Sequence, residues 1–202
     1  MIIGITGSIG SGKTAVARLF GKLGYIRVDA DEIGHRILKE NMTVYRKIIQ
    51  NFGKDILGKN KNIDRKKLGD IVFNSNKKLK KLNSITHPII IKNLERNISK
   101  IKKQCRDKTR IVIDAPLLLE TKTKKLVDRI IVVKADKSNI LKRLNKKFPK
   151  ERIERILKSQ MPLNEKLGYA DFIVDNNKDL KHLNIQVEGI IKKLGDKNQL
   201  SK

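Results

Sequence analysis

The sequence has little of what builds disulfide scaffolds, membrane spans or base-stacking surfaces. Cys105 is the only cysteine, so neither a disulfide framework nor a cysteine metal site can form within one chain. Aromatic residues make up only 4% of the chain and tryptophan is absent. The aliphatic runs are short, which excludes a membrane span, and no basic segment followed by a long apolar one predicts a signal peptide. We therefore expect a cytoplasmic protein without a membrane partner.

Positive charge is the feature in excess. Lysine and arginine number 47 against 21 acidic residues, which gives a formal net charge of +26. Such an excess is typical of nucleic-acid-binding proteins. Here, however, the lysines are spread along the whole chain, many at outward positions of amphipathic helices such as that of residues 77–82. No stretch interleaves basic and aromatic residues. We interpret the charge as a solvated surface and expect no nucleic-acid partner.

Residues 7–14, Gly-Ser-Ile-Gly-Ser-Gly-Lys-Thr, match the phosphate-binding pattern G-x-x-x-x-G-K-[ST] and follow the apolar run 1–5. Glycines let backbone N–H groups approach phosphate oxygens, and the helix that follows adds the positive end of its dipole. Lys13 can reach the β- and γ-phosphates, and the Thr14 hydroxyl suits Mg²⁺. We call residues 7–14 the phosphate loop and expect the chain to bind a nucleoside triphosphate.

Five short runs rich in isoleucine and valine predict parallel strands that are buried on both faces. They lie at about 2–6, 25–28, 109–113, 129–133 and 172–175. An amphipathic helix closed by Gly24 lies between the first two, so this part of the chain reads as a right-handed βαβ unit. The sequence thus predicts an α/β fold.

A helical pattern fills residues 32–108, where Asp64 can cap one helix and Pro88 suits a first helical position. Nearly eighty residues are more than one crossover needs, so we predict a helical insertion beside the nucleotide site. A second insertion, helical and basic, spans 137–168. The remaining core would comprise 1–31, 109–136 and 169–202.

Two aspartates end the second strand, Asp29 and Asp31, at the same sheet edge as the phosphate loop. A carboxylate near a γ-phosphate can accept a proton from an attacking hydroxyl or help to hold Mg²⁺. Alternatively, one of the two caps the next helix. With two acids available, one can cap while the other is catalytic.

Taken together, these residues resemble the dephospho-CoA kinase family, nearly end to end. The matching segments are 4–7, 9–13, Asp-Ala-Asp at 29–31, Asn-Phe-Gly at 51–53, Asp64-Arg65, His87-Pro88, Asp-Ala-Pro-Leu-Leu at 114–118 with Glu120, Gln160, and Ala-Asp-Phe at 170–172 leading to Asn176. Many nucleotide enzymes share the phosphate loop. The Asp-Ala-Asp, His-Pro and Asp-x-Pro-Leu-Leu-x-Glu strings at these spacings are far more specific.

The resemblance implies a P-loop kinase fold with a five-stranded parallel sheet in the order 2-3-1-4-5, a helical substrate-binding domain (32–108) and a lid (137–168). It implies transfer of the γ-phosphoryl group of ATP, with Mg²⁺, to the ribose 3′-hydroxyl of dephospho-CoA. ATP would lie on Gly10, Ser11, Gly12, Lys13, Thr14 and Ala15. Asp31 would be the base, Arg143 the lid arginine, and Asp29, Arg65 and His87 would face the acceptor. We expect a monomer or a weak homo-oligomer.

Local alternatives stand beside three of these assignments. Asp114, at the end of an apolar strand, resembles a metal-facing acid, but its carboxylate could equally hydrogen-bond the adjacent turn. Arg65 follows a helix cap, where an arginine is commonly solvated. His87 precedes a proline, where local hydrogen bonding is its ordinary role.

The lid departs from the family pattern, in which a second arginine commonly follows the one matching Arg143. Here Lys146 and Lys147 follow it instead, and lysine gives a point charge rather than a two-pronged donor. Other function classes remain open: a nucleoside or nucleotide kinase, a GTPase switch, or a nucleic-acid-stimulated ATPase. A switch expects Asn-Lys-x-Asp, but the nearest string, 177–179, has its aspartate one place too early.

Overall fold

The computed structural model describes residues 1–105 and 109–195, which divide into two compact units. The first, here the sheet unit, comprises Met1–Asp29 and the described residues from Ile98 onward. The second, the helical unit, comprises Ala30–Asn97. The ends of the predicted segments 32–108 and 169–202 lie partly outside the described residues. Their assignment as substrate-binding domain and core, like that of the lid, stays a prediction.

The sheet unit is built on five parallel strands in the order β2-β3-β1-β4-β5, which confirms the predicted fold. The strands are β1 Ile2–Thr6, β2 Ile26–Asp29, β3 Ile111–Asp114, β4 Arg129–Lys134 and β5 Phe172–Asp175. The predictions for β2, β3 and β4 ended one residue early, because each of these strands ends on a charged residue that an apolar pattern leaves out. Asp29 and Asp114 are register partners at the carboxyl edge.

The main hydrophobic core lies where two helices, α1 (Lys13–Lys22) and α9 (Leu180–Lys193), supply apolar side chains that pack with those of the sheet. Its members from the strands and helices are branched aliphatic residues together with Ala17 and Phe20, and none is more than 9% exposed. Gly24 closes α1 with φ 83°, and Tyr25 N–H bonds back to the Phe20 carbonyl at 3.1 Å. This closure turns the chain directly into β2.

Three further helices of the sheet unit follow β4: α6 Lys137–Leu144, α7 Lys150–Ser159 and α8 Leu163–Leu167. A smaller apolar cluster joins α6 and α7 to the end of β4 through Ala135, Ile140, Leu144 and Ile153. This cluster fixes α6 beside the loop that follows β1, because the Leu144 side chain lies next to Gly10.

The helical unit contains α2 Ala30–Glu40, α3 Met42–Phe52, α4 Arg65–Val72 and most of α5, Asn76–Cys105. Asp64 caps α4 as predicted, since its carboxylate accepts the N–H groups of Lys66 and Lys67. Asn41 caps α3 in the same way by accepting from Val44 N–H at 2.9 Å. These side-chain caps set where two of the helices begin.

Pro88 lies inside α5, so the prediction that it begins a helix was wrong. A proline removes one backbone hydrogen bond from a helix. The less exposed side chains nevertheless recur every four residues through the proline, at 82, 86, 90, 94 and 98, while Pro88 itself is exposed. Burial at Thr86, Leu94 and Ile98, with Leu82 and Ile90 half-buried, keeps α5 one helix despite the lost bond. Within the described ranges no helix, α5 included, is long and apolar enough to cross a bilayer.

Candidate active site

The phosphate loop joins β1 to α1 at the carboxyl edge of the sheet. Gly12 is the N-cap of α1 with φ 95° and gives the helix no side-chain cap. An uncapped first turn is the arrangement in which a helix N-terminus accepts an anion. Only glycine fits at this position, because a Cβ on Gly12 would lie 2.0 Å from Asn176 Nδ2. The loop can thus accept a phosphate at the N-terminus of α1, and the Asn176 side chain packs closely against Gly12.

Lys13 brings positive charge to this loop. It is only 7% exposed, and its ammonium Nζ donates to the Ser8 carbonyl at 3.0 Å. Burial of an ammonium is costly without polar partners, so the loop backbone holds this side chain in place. A charge held in this way is positioned to interact with phosphoryl oxygens at the loop.

Acidic side chains from β2 and β3 lie beside the start of α1. Thr14 Oγ1 donates to Asp114 Oδ2 at 2.8 Å. Arg27 forms an ion pair with Asp29, and its Nη2 lies 3.7 Å from Asp114 Oδ2. Burial raises the pKa of the Asp114 carboxyl, and the Asp29 charge adds to this effect. The Thr14 hydroxyl, the Lys13 ammonium and Arg27 oppose the rise in pKa.

The Thr14 hydroxyl and the Asp114 carboxylate fit a magnesium ion, since both are hard oxygen ligands. Among the described residues, no cluster of three or more His, Cys, Asp or Glu side chains could hold a metal. Mg²⁺ ordinarily takes one or two protein oxygens and completes its shell with water and substrate phosphates. The pair therefore suits a metal that arrives with a nucleotide. That Thr14 and Asp114 are ligands stays a prediction.

Arg143 on α6 reaches the phosphate loop, with which the resemblance also associates it. Its Nη1 donates to the Gly10 and Ser11 carbonyls at 3.2 and 3.3 Å, and its Nη2 to the Asn176 carbonyl at 2.6 Å. Asn176, which follows β5, donates from Nδ2 to the Ser11 carbonyl at 2.7 Å. Two segments distant in sequence therefore hold the loop backbone. Lys146 and Lys147, the lysines that follow Arg143 where the family commonly has a second arginine, are exposed beyond the end of α6.

The segment after α7 also contacts the loop. Gln160 Oε1 accepts the Ile9 N–H at 3.0 Å. One residue later, Met161 N–H donates to Glu120 Oε1 at 3.0 Å, and the fully buried Lys166 ammonium donates to the same oxygen at 2.8 Å. The chain that follows β3 is thereby tied to α8.

Three predicted site residues belong to the helical unit. Asp31 is exposed in the first turn of α2, two residues after Asp29 in the chain. Arg65 is the exposed first residue of α4, and His87 is half-buried within α5. The structure brings together the predicted residues of the sheet unit, at Gly10–Ala15, Asp29, Asp114 and Arg143. The roles of Asp31, Arg65 and His87 stay predictions.

The sequence reasoning missed Arg27 and Lys166. Arg27 stands two residues before Asp29 on one strand and so shares its face, a spacing that could have indicated the ion pair. Lys166 stands in a chain with 47 basic residues, and nothing in its local pattern separates a fully buried lysine from a solvated one.

Sequence comparison gives a consistent result over nearly the whole chain. The profile of a family described as dephospho-CoA kinase matches residues 1–182. A dephospho-CoA kinase of Aquifex aeolicus is 40% identical over 193 residues, covering 95% of this chain and 96% of the relative. One of Carboxydothermus hydrogenoformans is 41% identical over 194 residues, covering 95% and 93%.

Solved structures agree. The dephospho-CoA kinase of Campylobacter jejuni superposes with a TM-score of 0.68 at 31% identity and covers 98% of both chains. A shikimate kinase of Acinetobacter baumannii in complex with shikimate has a TM-score of 0.57 at 13% identity, covering 98% of this chain and 94% of its own, and shows the shared P-loop kinase fold alone. With a family profile over residues 1–182 and relatives at about two-fifths identity, the chain belongs to the dephospho-CoA kinase family.

Proposed function

We propose that this protein transfers the γ-phosphoryl group of ATP to the ribose 3′-hydroxyl of dephospho-CoA, which yields coenzyme A and ADP. The observation that carries the proposal is the phosphate loop, with buried Lys13 on one side and the Thr14–Asp114 hydrogen bond on the other. This arrangement supplies a phosphate cradle and oxygen ligands at one sheet edge. Family membership supplies the identity of the acceptor.

In this proposal the phosphate loop contributes to catalysis mainly by holding positive charge in a fixed position. Phosphoryl transfer needs little covalent chemistry from the protein, and catalysis comes from positioning and electrostatic stabilisation. Lys13 and the N-terminus of α1 would neutralise charge on the transferred group. Arg143 would add a second cation, released from the loop carbonyls to the phosphates when nucleotide is present.

Mg²⁺, held by Thr14 and Asp114 together with the phosphates, would neutralise charge on the phosphoryl oxygens. Asp31, whose carboxylate is exposed in the first turn of α2, would accept the proton of the attacking 3′-hydroxyl. Asp29, Arg65 and His87 would bind the acceptor. We place this reaction in the cytoplasm, in a monomer or weak homo-oligomer that has no nucleic-acid partner.

The decisive experiment is an acceptor panel with Mg²⁺ and ATP. Dephospho-CoA, adenosine, AMP and single-stranded nucleic acid are offered separately, and ADP release and phosphorylated product are both measured. Dephospho-CoA should give the highest kcat/KM by a wide margin. Faster turnover of AMP or adenosine would refute dephospho-CoA as the acceptor, although the protein would still be a kinase. ATP hydrolysis that nucleic acid stimulates, without a phosphorylated acceptor, would refute both the acceptor and the kinase activity.

Asp31→Asn tests the base within the same assay. Asparagine keeps the size and capping ability of the side chain but removes the basic carboxylate, so kcat should fall by roughly 10²-fold or more. The melting temperature should stay within about a degree or two, since Asp31 is exposed. Turnover close to that of the unmodified enzyme would refute Asp31 as the base.

The string at 177–179 has structural roles, which weakens the GTPase alternative. Asp179 caps α9 by accepting His182 N–H at 2.8 Å. Asn177 Oδ1 accepts Asp136 N–H at 2.7 Å and Asn139 Nδ2 at 3.0 Å. Side chains engaged in this way hold the chain after β5 in place, and they account for these residues without a guanine base.

A further inference from the structure

The orientation of one peptide unit in the phosphate loop depends on a side chain far away in sequence. The Ser11 carbonyl accepts Asn176 Nδ2 at 2.7 Å and Arg143 Nη1 at 3.3 Å. A trans peptide is planar, so its C=O and the following N–H point in opposite directions. Whatever fixes the Ser11 carbonyl therefore also aims the Gly12 N–H away from Asn176.

Asn176 is itself held firmly. Its own N–H donates to the Lys134 carbonyl at 2.9 Å, which continues the pairing of β4 and β5. The preceding residue, Asp175, exchanges two hydrogen bonds of 2.8 Å with Gln186 on α9. Asn176 is 9% exposed, and its amide lies against Gly12, where a Cβ would lie 2.0 Å from Nδ2. The sheet thus supports this carboxamide, and the carboxamide supports the loop.

We propose that Asn176 is a positioning residue for the triphosphate. Its carboxamide keeps the Ser11 carbonyl pointing towards Asn176, so that the Gly12 N–H of the same peptide points the opposite way and faces the phosphates. Preorganised N–H groups stabilise anionic oxygens without the cost of reorienting when the ligand binds. Arg143 contributes to the same carbonyl, but it is an exposed side chain on α6. Asn176 is the more buried of the two side chains, and its hydrogen bond to the Ser11 carbonyl is the shorter one.

The adjacent Asn177 provides a matched control, because its side-chain contacts are with Asp136, Asn139 and Asp175 rather than with the phosphate loop. Asn176 donates from Nδ2 to a carbonyl, whereas Asn177 accepts through Oδ1. An Asn→Asp change keeps an acceptor but removes the donor. Asn177→Asp therefore keeps the acceptor for Asp136 N–H and Asn139 Nδ2 and loses only the side-chain hydrogen bond to Asp175, which does not involve the phosphate loop. Asn176→Asp loses its contact and sets a carboxylate oxygen against the Ser11 carbonyl.

The experiment titrates each purified variant with a non-hydrolysable ATP analogue and, separately, with inorganic tripolyphosphate. Asn176→Asp should weaken both by a similar factor, on the order of 30-fold or more. Asn176→Ala, which removes the donor without repulsion, should weaken both by roughly tenfold. Asn177→Asp should stay within about twofold of the unmodified protein for both probes, a change of less than half a kcal/mol.

Kinetics supply a second readout that a general loss of structure would not give. At saturating ATP, the KM for dephospho-CoA should change by less than about twofold in Asn176→Ala, while the KM for ATP rises. A loss confined to the ATP analogue, with tripolyphosphate unaffected, would reassign Asn176 to contact with the nucleoside and overturn the proposal. Unchanged affinities in both Asn176 variants would overturn it as well.

The inference rests on the proposed function only through ATP, and the binding titrations need no acceptor. A protein that binds the analogue through Asn176 but leaves dephospho-CoA unmodified would refute the proposed function and sustain this inference. Melting curves of the ligand-free variants identify any that do not fold, and Asn176→Ala carries the test if Asn176→Asp is among them.

Discussion

Replacing Glu120 with alanine should destabilise this protein more than replacing its partner Lys166 with methionine. Lys166 is fully buried, and its ammonium donates to Glu120 Oε1 at 2.8 Å and to the Pro116 carbonyl at 3.0 Å. The Glu120 side chain is 20% exposed. Glu120→Ala therefore strands a buried cation, whereas Lys166→Met strands a carboxylate that water can reach.

The magnitude follows from this asymmetry. Removing one partner of a buried ion pair costs about 3–5 kcal/mol. Because Glu120 is partly exposed, the lower end applies, and we expect about 3 kcal/mol for Glu120→Ala. Lys166→Met should cost about 1–2 kcal/mol, since Glu120 keeps the Met161 N–H as a donor. For a chain of 202 residues the unfolding entropy is about 0.4 kcal/mol per kelvin, so Glu120→Ala should lower Tm by roughly 7 K.

Urea denaturation of the two single variants and the double variant measures these free energies. The double variant should be more stable than the sum of the two losses predicts, by about 2 kcal/mol, because it removes both charges together. Glu120→Gln keeps an acceptor for the Met161 N–H and should be milder than Glu120→Ala. A larger loss for Lys166→Met than for Glu120→Ala, or strict additivity in the double variant, would refute the reasoning.

Three further predictions concern the catalytic and capping residues. Lys13→Ala should lower kcat at least ~10²-fold in steady-state kinetics because charge stabilisation of the transferred group is lost; a loss of under threefold would exclude that role. Arg143→Ala should lower kcat and kcat/KM together, with only partial recovery in Arg143→Lys, since lysine cannot make two parallel hydrogen bonds; constants equal to those of the unmodified enzyme would rule this out. Hydrogen bonds from the backbone N–H of Lys67 and then of Lys66 lower the pKa of the Asp64 carboxyl in the folded protein. The ionised Asp64 therefore contributes its full stabilisation at pH values above its pKa in the unfolded chain, and this contribution is lost as the pH falls through its pKa in the folded protein. Urea midpoints from about pH 6 down to about pH 2 should therefore fall less steeply for Asp64→Asn than for the unmodified protein, and identical slopes would contradict the assignment.

The sheet could be predicted because its strands read as isoleucine and valine runs, although only the central strands β1, β3 and β4 are buried on both faces as predicted, while the edge strands β2 and β5 are partly exposed. Even the edge strand β5, in which Ile173 is exposed, lies at Phe172–Asp175, where the pattern placed it. The order of the strands could not be worked out from these runs, because short apolar strands carry no label for their neighbours; it came from the family resemblance. Pro88 shows a second limit. A local rule for proline failed where packing along one stripe of α5 decided the outcome.

The candidate site divides in the same way. Residues 7–14 and Asp114 could be singled out because a contiguous pattern or a strand end marks them. The hydrogen-bond partners could not be deduced, since Asn176 and Ser11 stand 165 residues apart and Lys166 reads like any other lysine. Tertiary packing, rather than any local spacing, brings Gln160 to Ile9.

The central place of β1 has a consequence for the order in which this protein can fold during synthesis. β1 is made first, but it pairs with β3 and β4, where Ile2 opposes Ile111 and Ile3 opposes Arg129. The phosphate loop, which follows β1, gains its contact with Asn176 later still, because Asn176 is synthesised 165 residues after Ser11. At ribosomal rates this delay is roughly 10–30 s. ATP binding by a nascent chain would therefore report that β5 has joined the sheet, and fragments that stop short of Asn176 would have the phosphate-binding sequence without its final shape.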